Sequence, residues 1–229
     1  MSLAWAMVES NPLNMLPAEH SERMMRLMHR RRLSPGERLE MGKTAGGWWV
    51  VENGLMKMYQ VAPDGSSLTY ALLKPGDSFG ETDILTGHWV RAMVEALEPS
   101  TVRYLPAEQF HRLLRESPDF ALALLRVMAE RIRQSQERVF HISRLPLTHR
   151  LAHALLGLAE SVGKPHPLGT EIHLTQQELA DYVGATREAV SRTLSGWSRQ
   201  GCLETHRKSI ILKDTRPLQT LCEQISMFA

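Results

Sequence analysis

The sequence predicts an α+β chain: a sandwich or barrel of short strands, then one long helix, then a cluster of short helices. Three observations carry this. Turn signals recur at short intervals from Ser34 to about Pro106, a 3-4 apolar spacing runs from Leu125 to Ile142, and two separately capped short helices lie beyond Leu145-Pro146.

The strand region is punctuated by SPGE at 34–37, ENG at 52–54, PDG at 63–65, KPGD at 74–77 and EPS at 98–100. Between these lie WWVVEN, LMKMYQVA, LTYALL, AMVEAL and TVRYLP, rich in the residue types that suit a half-buried pleated surface. Trp48 and Trp49 are adjacent, so in a strand they face opposite ways, and one of them is expected in the core. Ahead of the strands, PAEHSERMMRLMHRRR at 17–32 reads as a short amphipathic helix with a basic end. Met24, Leu27 and Met28 share its apolar face, which marks packing rather than metal binding.

Leu125, Met128, Ile132, Ser135, Val139 and Ile142 follow the a/d spacing of a heptad seam, and Ala121 extends it toward the N-terminus. Such a stripe is buried against the same helix of a second copy or against the helix's own domain. Ser135 is its odd member, because a hydroxyl inside an apolar seam costs stability unless it finds a partner. The resulting divisions are 1–115 for the strand domain, 116–144 for the long helix and hinge, and 145–229 for the helical domain.

In the last segment LTHRLAHALLGLAESV is one amphipathic helix, ended by a GKPHPLG loop. Thr175 and Glu178 form a capping box, Gly184 is placed to end that helix in a left-handed conformation, and Thr186 caps the next. Two short helices joined through such a turn have the helix-turn-helix plan. On the second helix Val190, Leu194 and Trp197 point inward. Arg187, Glu188, Ser191 and Arg192 point outward, with Glu188 and Arg192 at ion-pair spacing. Arginine can bridge guanine O6 and N7, and glutamate can accept from cytosine N4, so Arg187, Glu188 and Arg192 are the candidate base readers. Thr175, Gln177, Thr186 and Ser191 offer hydroxyls and an amide suited to phosphate oxygens. ETHRKSIILKD reads as a two-strand tip whose His206, Arg207 and Lys208 suit the DNA backbone, or simply solvent.

Composition sets the outer bounds. The 229 residues suit one large domain or two modest ones, and 43% hydrophobic with 23% charged residues is ordinary for a globular chain. A net charge of +2 is only mildly basic. No apolar run approaches the ~20 residues of a membrane span, and the start MSLAWAMVESNP lacks a signal-peptide pattern. Cys202 and Cys222 form neither CxxC nor a metal spacing, so idle or buried thiols in a reducing cytoplasm are expected. No G-x-S-x-G, H-E-x-x-H or P-loop spacing points to an enzyme.

The stretch HLTQQELADYVGATREAVSRTL closely resembles the DNA-binding motif of the CRP/FNR (cAMP-receptor/FNR) family of bacterial transcription regulators. The likeness extends over nearly the whole chain. It implies a cyclic-nucleotide-binding-type β-roll (jelly roll), a long dimerisation helix and a winged helix-turn-helix. Double-stranded DNA, a second copy of the chain and RNA polymerase are the partners it implies. By the same resemblance Arg187, Glu188 and Arg192 read a TGTGA-like half-site, twice, as a palindrome. Phe79-Gly80-Glu81-Thr82 and Val90-Arg91-Ala92-Met93 match the family's pocket dipeptides. Gly80, Glu81, Arg91 and Ala92, with Arg131 and Ser135 from the helix, then hold a cyclic nucleotide, cAMP foremost.

Three positions depart from that pattern. Ala92 replaces a Ser or Thr, Asp83 adds a negative charge near the phosphate position, and Gln136 replaces a hydroxyl near the base. Control without an effector or by another ligand therefore stays open, as does a regulatory subunit that binds no DNA. The family's iron–sulfur members need a cysteine cluster that is absent here. Its haem members need an axial His or Cys in the sensor domain, where His88 is available, but a lone loop histidine is more often solvated. His149 and His153 lie four apart but lack accompanying ligands, so solvent or dimer contact is expected rather than a metal.

Overall fold

The computed structural model describes residues 11–39, 46–87 and 92–226. They divide into two compact units between Ile132 and Arg133.

In the first unit a helix α1 (Ala18–Leu27) precedes strands β1 (His29–Leu33), β2 (Arg38–Leu39), β3 (Gly47–Asn53), β4 (Met56–Val61), β5 (Ser67–Leu73) and β6 (Ser78–Phe79). The short helix α2 (Glu81–Thr86), strands β7 (Met93–Ala96) and β8 (Ser100–Pro106), and helix α3 (Ala107–Glu116) complete it, together with the first half of α4 (Pro118–Arg144). The strands make two antiparallel sheets, β1-β8-β3-β6 and β2-β7-β4-β5. Each expected run falls on a strand of this roll.

In this unit two readings need correction. The basic end of the first helix is not helical: α1 stops at Leu27, and HRRRL is β1, paired with β8 from His29↔Tyr104 to Leu33↔Ser100. The reason lies outside the segment. Arg30 grips Glu52 of β3 with two hydrogen bonds of 2.6 and 2.7 Å, Arg103 of β8 reaches the same carboxylate at 2.9 Å, and Arg31 pairs with Glu37. The Arg30 hydrogen bond above all holds the Glu52 carboxyl below its ordinary range. Leu27 is left 63% exposed, off the face that buries Met28.

Both tryptophans, not one, are core. Trp49 faces the opposite sheet, stacked with Phe79 and tilted on Tyr104 at 4.4 Å, in a cluster with Val94, Met56 and Val102. Trp48 points the other way, against Phe110 of α3 and Phe120 of α4, at 5.6 and 5.4 Å. Helices cover the outer face of this sheet, so period-2 alternation buries both rings.

The second unit is built on α5 (Leu147–Val162), whose Leu151, Ala152, Ala154, Leu155 and Leu158 are fully buried. GKPHPLG, expected as a loop, forms β9 (Lys164–His166) and the turn into β10 (Gly169–Ile172). Helices α6 (Gln176–Val183) and α7 (Arg187–Arg199) follow, then β11 (Leu203–Thr205), β12 (Ile210–Leu212) and α8 (Arg216–Ser226), which packs on α5. The sheet order β11-β12-β10-β9 makes the last hairpin a wing beside the helix pair. Cys202 and Cys222 are buried free thiols.

His153 is neither in solvent nor, within this chain, short of company. It is 8% exposed, its ring lies 5.1 Å from that of His141 on α4, and both its nitrogens are buried without a hydrogen-bond partner among the described residues. Burial first, then the neighbouring His141 and His149, pull its pKa down to about 4; burial also lowers that of His141, against a smaller opposing pull from Glu137. The unfolded chain then binds a proton near pH 6.5 that the folded unit refuses. Stability is complete above pH 6.5 and falls as the pH drops toward 4, by on the order of 2 kcal/mol. Chemical denaturation at pH 7.5 and 5 should show this loss, and His153→Gln should flatten it. An unchanged pH slope in that variant rules out His153 as its source.

Candidate nucleic-acid interface and effector site

The candidate recognition surface is built from caps outward. The Thr175 hydroxyl accepts from the Glu178 N–H at 3.2 Å, while the Glu178 carboxylate accepts from the Thr175 N–H at 2.7 Å. This reciprocal box opens α6. Gly184, at φ 65°, ends it in the left-handed region that other residues adopt only with strain. Thr186 then caps α7 through the Ala189 N–H at 3.3 Å.

With its start fixed, α7 buries Val190, Leu194 and Trp197. Arg187, Glu188 and Arg192 are thereby exposed on the opposite face, with Ser191 half-buried between them. The spacing suggested a Glu188–Arg192 ion pair, but among the described residues none joins them, so both heads stand open to an external partner. The phosphate candidates divide. The Thr175 hydroxyl also donates to Glu178 at 2.8 Å, and the Gln177 amide donates to Asp181 at 2.8 Å, so both are engaged within α6 and its cap. Thr186 only accepts, which leaves its hydroxyl hydrogen for an oxygen outside the chain. At the wing, a 2.8 Å bond from the His206 N–H to the Ser209 carbonyl closes the turn and leaves His206, Arg207 and Lys208 exposed.

The second site lies in the first unit. Gly80, at φ 94°, turns β6 into α2, and a Cβ there would stand 2.3 Å from the Gly47 carbonyl oxygen, so no other residue fits. Directly after it, Glu81 is only 2% exposed. Arg131 of α4 donates to Glu81 Oε1 and to the Ser78 carbonyl, bridging 50 residues of chain. Among the described residues Glu81 Oε2 has no hydrogen-bond partner, and it is buried. A carboxylate oxygen left so is costly unless a donor arrives. Asp83 is also buried, at 5% exposure, and Ala92 is half-buried. Arg91 and His88 lie outside the described residues.

Along α4 the seam is open in the single chain. Leu125, Ile132 and Val139 are 64%, 59% and 67% exposed, and Ile142 and Ser135 are exposed as well. Met128 instead packs partly against the β-roll core. No helix is long and apolar enough to cross a membrane among the described residues, and no group of three His, Cys, Asp or Glu there is placed to hold a metal ion.

Comparison with known proteins agrees with this geometry. Residues 30–117 match the cyclic nucleotide-binding domain and residues 149–221 the Crp-like helix-turn-helix domain. Over 180 residues the chain is 28% identical to the cAMP-activated global transcriptional regulator CRP of Pasteurella multocida, covering 78% of this chain and 86% of that one. A CRP/FNR-family transcriptional regulator of Thermus thermophilus superposes with a TM-score of 0.71 at 27% identity, over 85% of this chain and 98% of that one. The c-di-GMP responsive global regulator of Xanthomonas campestris shares the fold, with a TM-score of 0.75 at 22% identity over 86% and 99%.

A β-roll of the cyclic nucleotide-binding type and a Crp-like helix-turn-helix in one chain are the make-up of a DNA-binding transcription regulator. The chain belongs to the CRP/FNR family of such regulators.

Proposed function

We propose that this regulator acts as a cytoplasmic homodimer that reads a TGTGA-type palindrome under control of a cyclic nucleotide, cAMP foremost, with RNA polymerase as the machinery it regulates. The observation that carries the effector is Glu81 Oε2, a buried acceptor without a donor beside an arginine already paired to the same carboxylate. A ribose hydroxyl can donate one hydrogen bond to such an oxygen, while Arg131 holds the other carboxylate oxygen in place. Backbone N–H groups near Gly80, with Arg91, are the proposed phosphate holders. The relatives named as cAMP-activated support this choice.

The dimer rests on the open seam. Leu125, Ile132 and Val139 recur on one helical stripe and are more than half exposed, which a second α4 would cover. Two copies place their α7 helices one DNA turn apart, ~34–36 Å, so a palindrome is the matching site. Changing Ile132 and Val139 together to Glu should leave the fold intact, since both are exposed, and make the protein monomeric by sedimentation. Specific DNA binding should fall with it. A dimer that survives both charges means that α4 is not the interface.

A second reading has its own observation. Ala92 offers no hydroxyl to a phosphate, and Asp83 is a second buried carboxylate close to Glu81 in sequence. Both disfavour a dianionic or closely approached phosphate and favour another ligand or none. Selection of duplexes from a random pool, with and without cAMP or cGMP, tests the whole proposal. The expected outcome is an enriched palindrome whose affinity rises with cAMP. Enrichment indifferent to both nucleotides supports the second reading, and no enrichment refutes sequence-specific recognition.

A further inference from the structure

Two arginines from different helices converge on one end of α6. Arg138, on α4, donates Nη2 to the Tyr182 carbonyl at 2.7 Å. Arg150, on α5, donates Nη1 to the carbonyls of Val183 and Gly184 at 2.9 and 3.3 Å. Three successive acceptors, the last two of α6 and its cap, are thus satisfied from outside the helix. The end of a helix lacks internal donors for its final carbonyls and carries partial negative charge, so two guanidinium groups are well matched to it.

The attachment is more than a cap. The Arg138 guanidinium also lies 5.2 Å from the centre of the Tyr182 ring, itself 6% exposed. Arg150 is held at a cost: burial lowers its pKa, and its Nε is buried without a partner. One helical turn beyond Arg138, the His141 ring meets His153 of α5. The last turns of α4 are therefore tied both to α5 and to the point where α6 turns into α7. Only Gly184, Ala185 and Thr186 separate that point from Arg187.

We infer that Arg138 and Arg150 are positioning residues for DNA reading. They touch no base; they fix the turn between α6 and α7 to α4 and α5, so the angle at which Arg187, Glu188 and Arg192 are presented follows the placement of α4. A movement of α4 is thereby passed to the recognition helix through hydrogen bonds and not only through the short chain link at Leu145-Pro146. This rests on α7 being the reading helix.

The test uses full-length protein with Arg138→Met, Arg150→Met and Arg138→Lys, each bound to the duplex selected by the wild type and to a scrambled duplex over a range of salt. Expected for each Met variant is a loss of about tenfold in the preference for the selected duplex. Binding to scrambled DNA and the slope against salt should stay unchanged, and Arg138→Lys should recover part of the preference. An unchanged preference in either folded Met variant overturns the inference for that residue. So does a uniform loss on both duplexes with the salt slope reduced by about one, the mark of a phosphate contact. If a Met variant melts below the assay temperature, the Lys variant at the same position (Arg138→Lys or Arg150→Lys), which keeps a donor and the charge but loses the guanidinium fork, decides by the same ratio. A preference equal to wild type then overturns the inference for that residue. Failure of the underlying reading is separate: it shows as a wild type that selects no sequence, or as Arg187→Ala and Arg192→Ala that leave selection intact.

Discussion

Replacing Arg131 by Met lowers the stability of the first unit by about 3–5 kcal/mol, the cost of stranding one member of a buried ion pair. The structure makes this pair unusually one-sided. Glu81 is 2% exposed, its Oε2 already has no donor, and Oε1 depends on Arg131. Met fills the volume of the arginine stem but supplies no hydrogen. The same change frees the Ser78 carbonyl that Arg131 also caps. Thermal denaturation should show a midpoint lower by on the order of 10 °C. Adding Glu81→Gln to Arg131→Met should restore much of the loss, because the uncompensated charge goes with it. A midpoint within about 2 °C of wild type means the pair is not structural. Calorimetric titration with cAMP supplies the functional arm: both single variants should lose its binding.

Arg192→Ala has the opposite profile, a large effect on DNA and almost none on folding. Its guanidinium is exposed and makes no ion pair among the described residues, so stability should stay within about 0.5 kcal/mol of wild type. Each lost bidentate base contact costs ~1–3 kcal/mol, and a palindrome loses two, so affinity for the selected duplex should fall by ~2–6 kcal/mol. The loss should be confined to duplexes carrying the preferred base at one position in each half-site. Lys208→Ala should differ in kind, weakening all duplexes alike and reducing the salt slope by about one per protomer. Equal losses on every sequence for Arg192→Ala would reassign it to the backbone.

The absence of a Glu188–Arg192 pair sharpens this expectation. At i, i+4 spacing such a pair contributes only ~0.3–0.5 kcal/mol, too little to hold both heads against solvent. Neither side chain therefore has a strong intramolecular bond to break before it meets a base edge.

How much of this protein could be read from its residues follows from the range of the interactions involved. Caps, turns and periodicities act over a few positions. Thr175 with Glu178, Gly184 and Thr186 therefore announce two short helices and the turn between them, and Val190, Leu194 and Trp197 settle which face of α7 stays outside. The strand runs of the roll, the a/d stripe of α4 and the basic wing tip are legible for the same reason. Helices α2, α3 and α8 leave weaker local marks in the sequence.

Tertiary structure decided whatever depends on partners far along the chain. HRRR has helical neighbours and a helical spacing before it, yet it is a strand, because Glu52 and β8 hold it. Trp48 is core only because α3 and α4 happen to cover the face it points to. His153 sits at a spacing that suggests a solvent-facing histidine, and only the approach of His141 shows that its ring is buried. Glu81 and Arg131 are recognisable by family resemblance, but the bond between them spans 50 residues. No periodicity marks Arg138 and Arg150, whose acceptors are carbonyls 44, 33 and 34 residues away. The sequence by itself determined the local elements and the outward chemistry of TREAVSR, since those rest on spacing within a turn or two. The burial that strips Glu81 Oε2 of a donor, and the arginines that hold the α6–α7 turn, were decided only when distant segments packed together and desolvated one another.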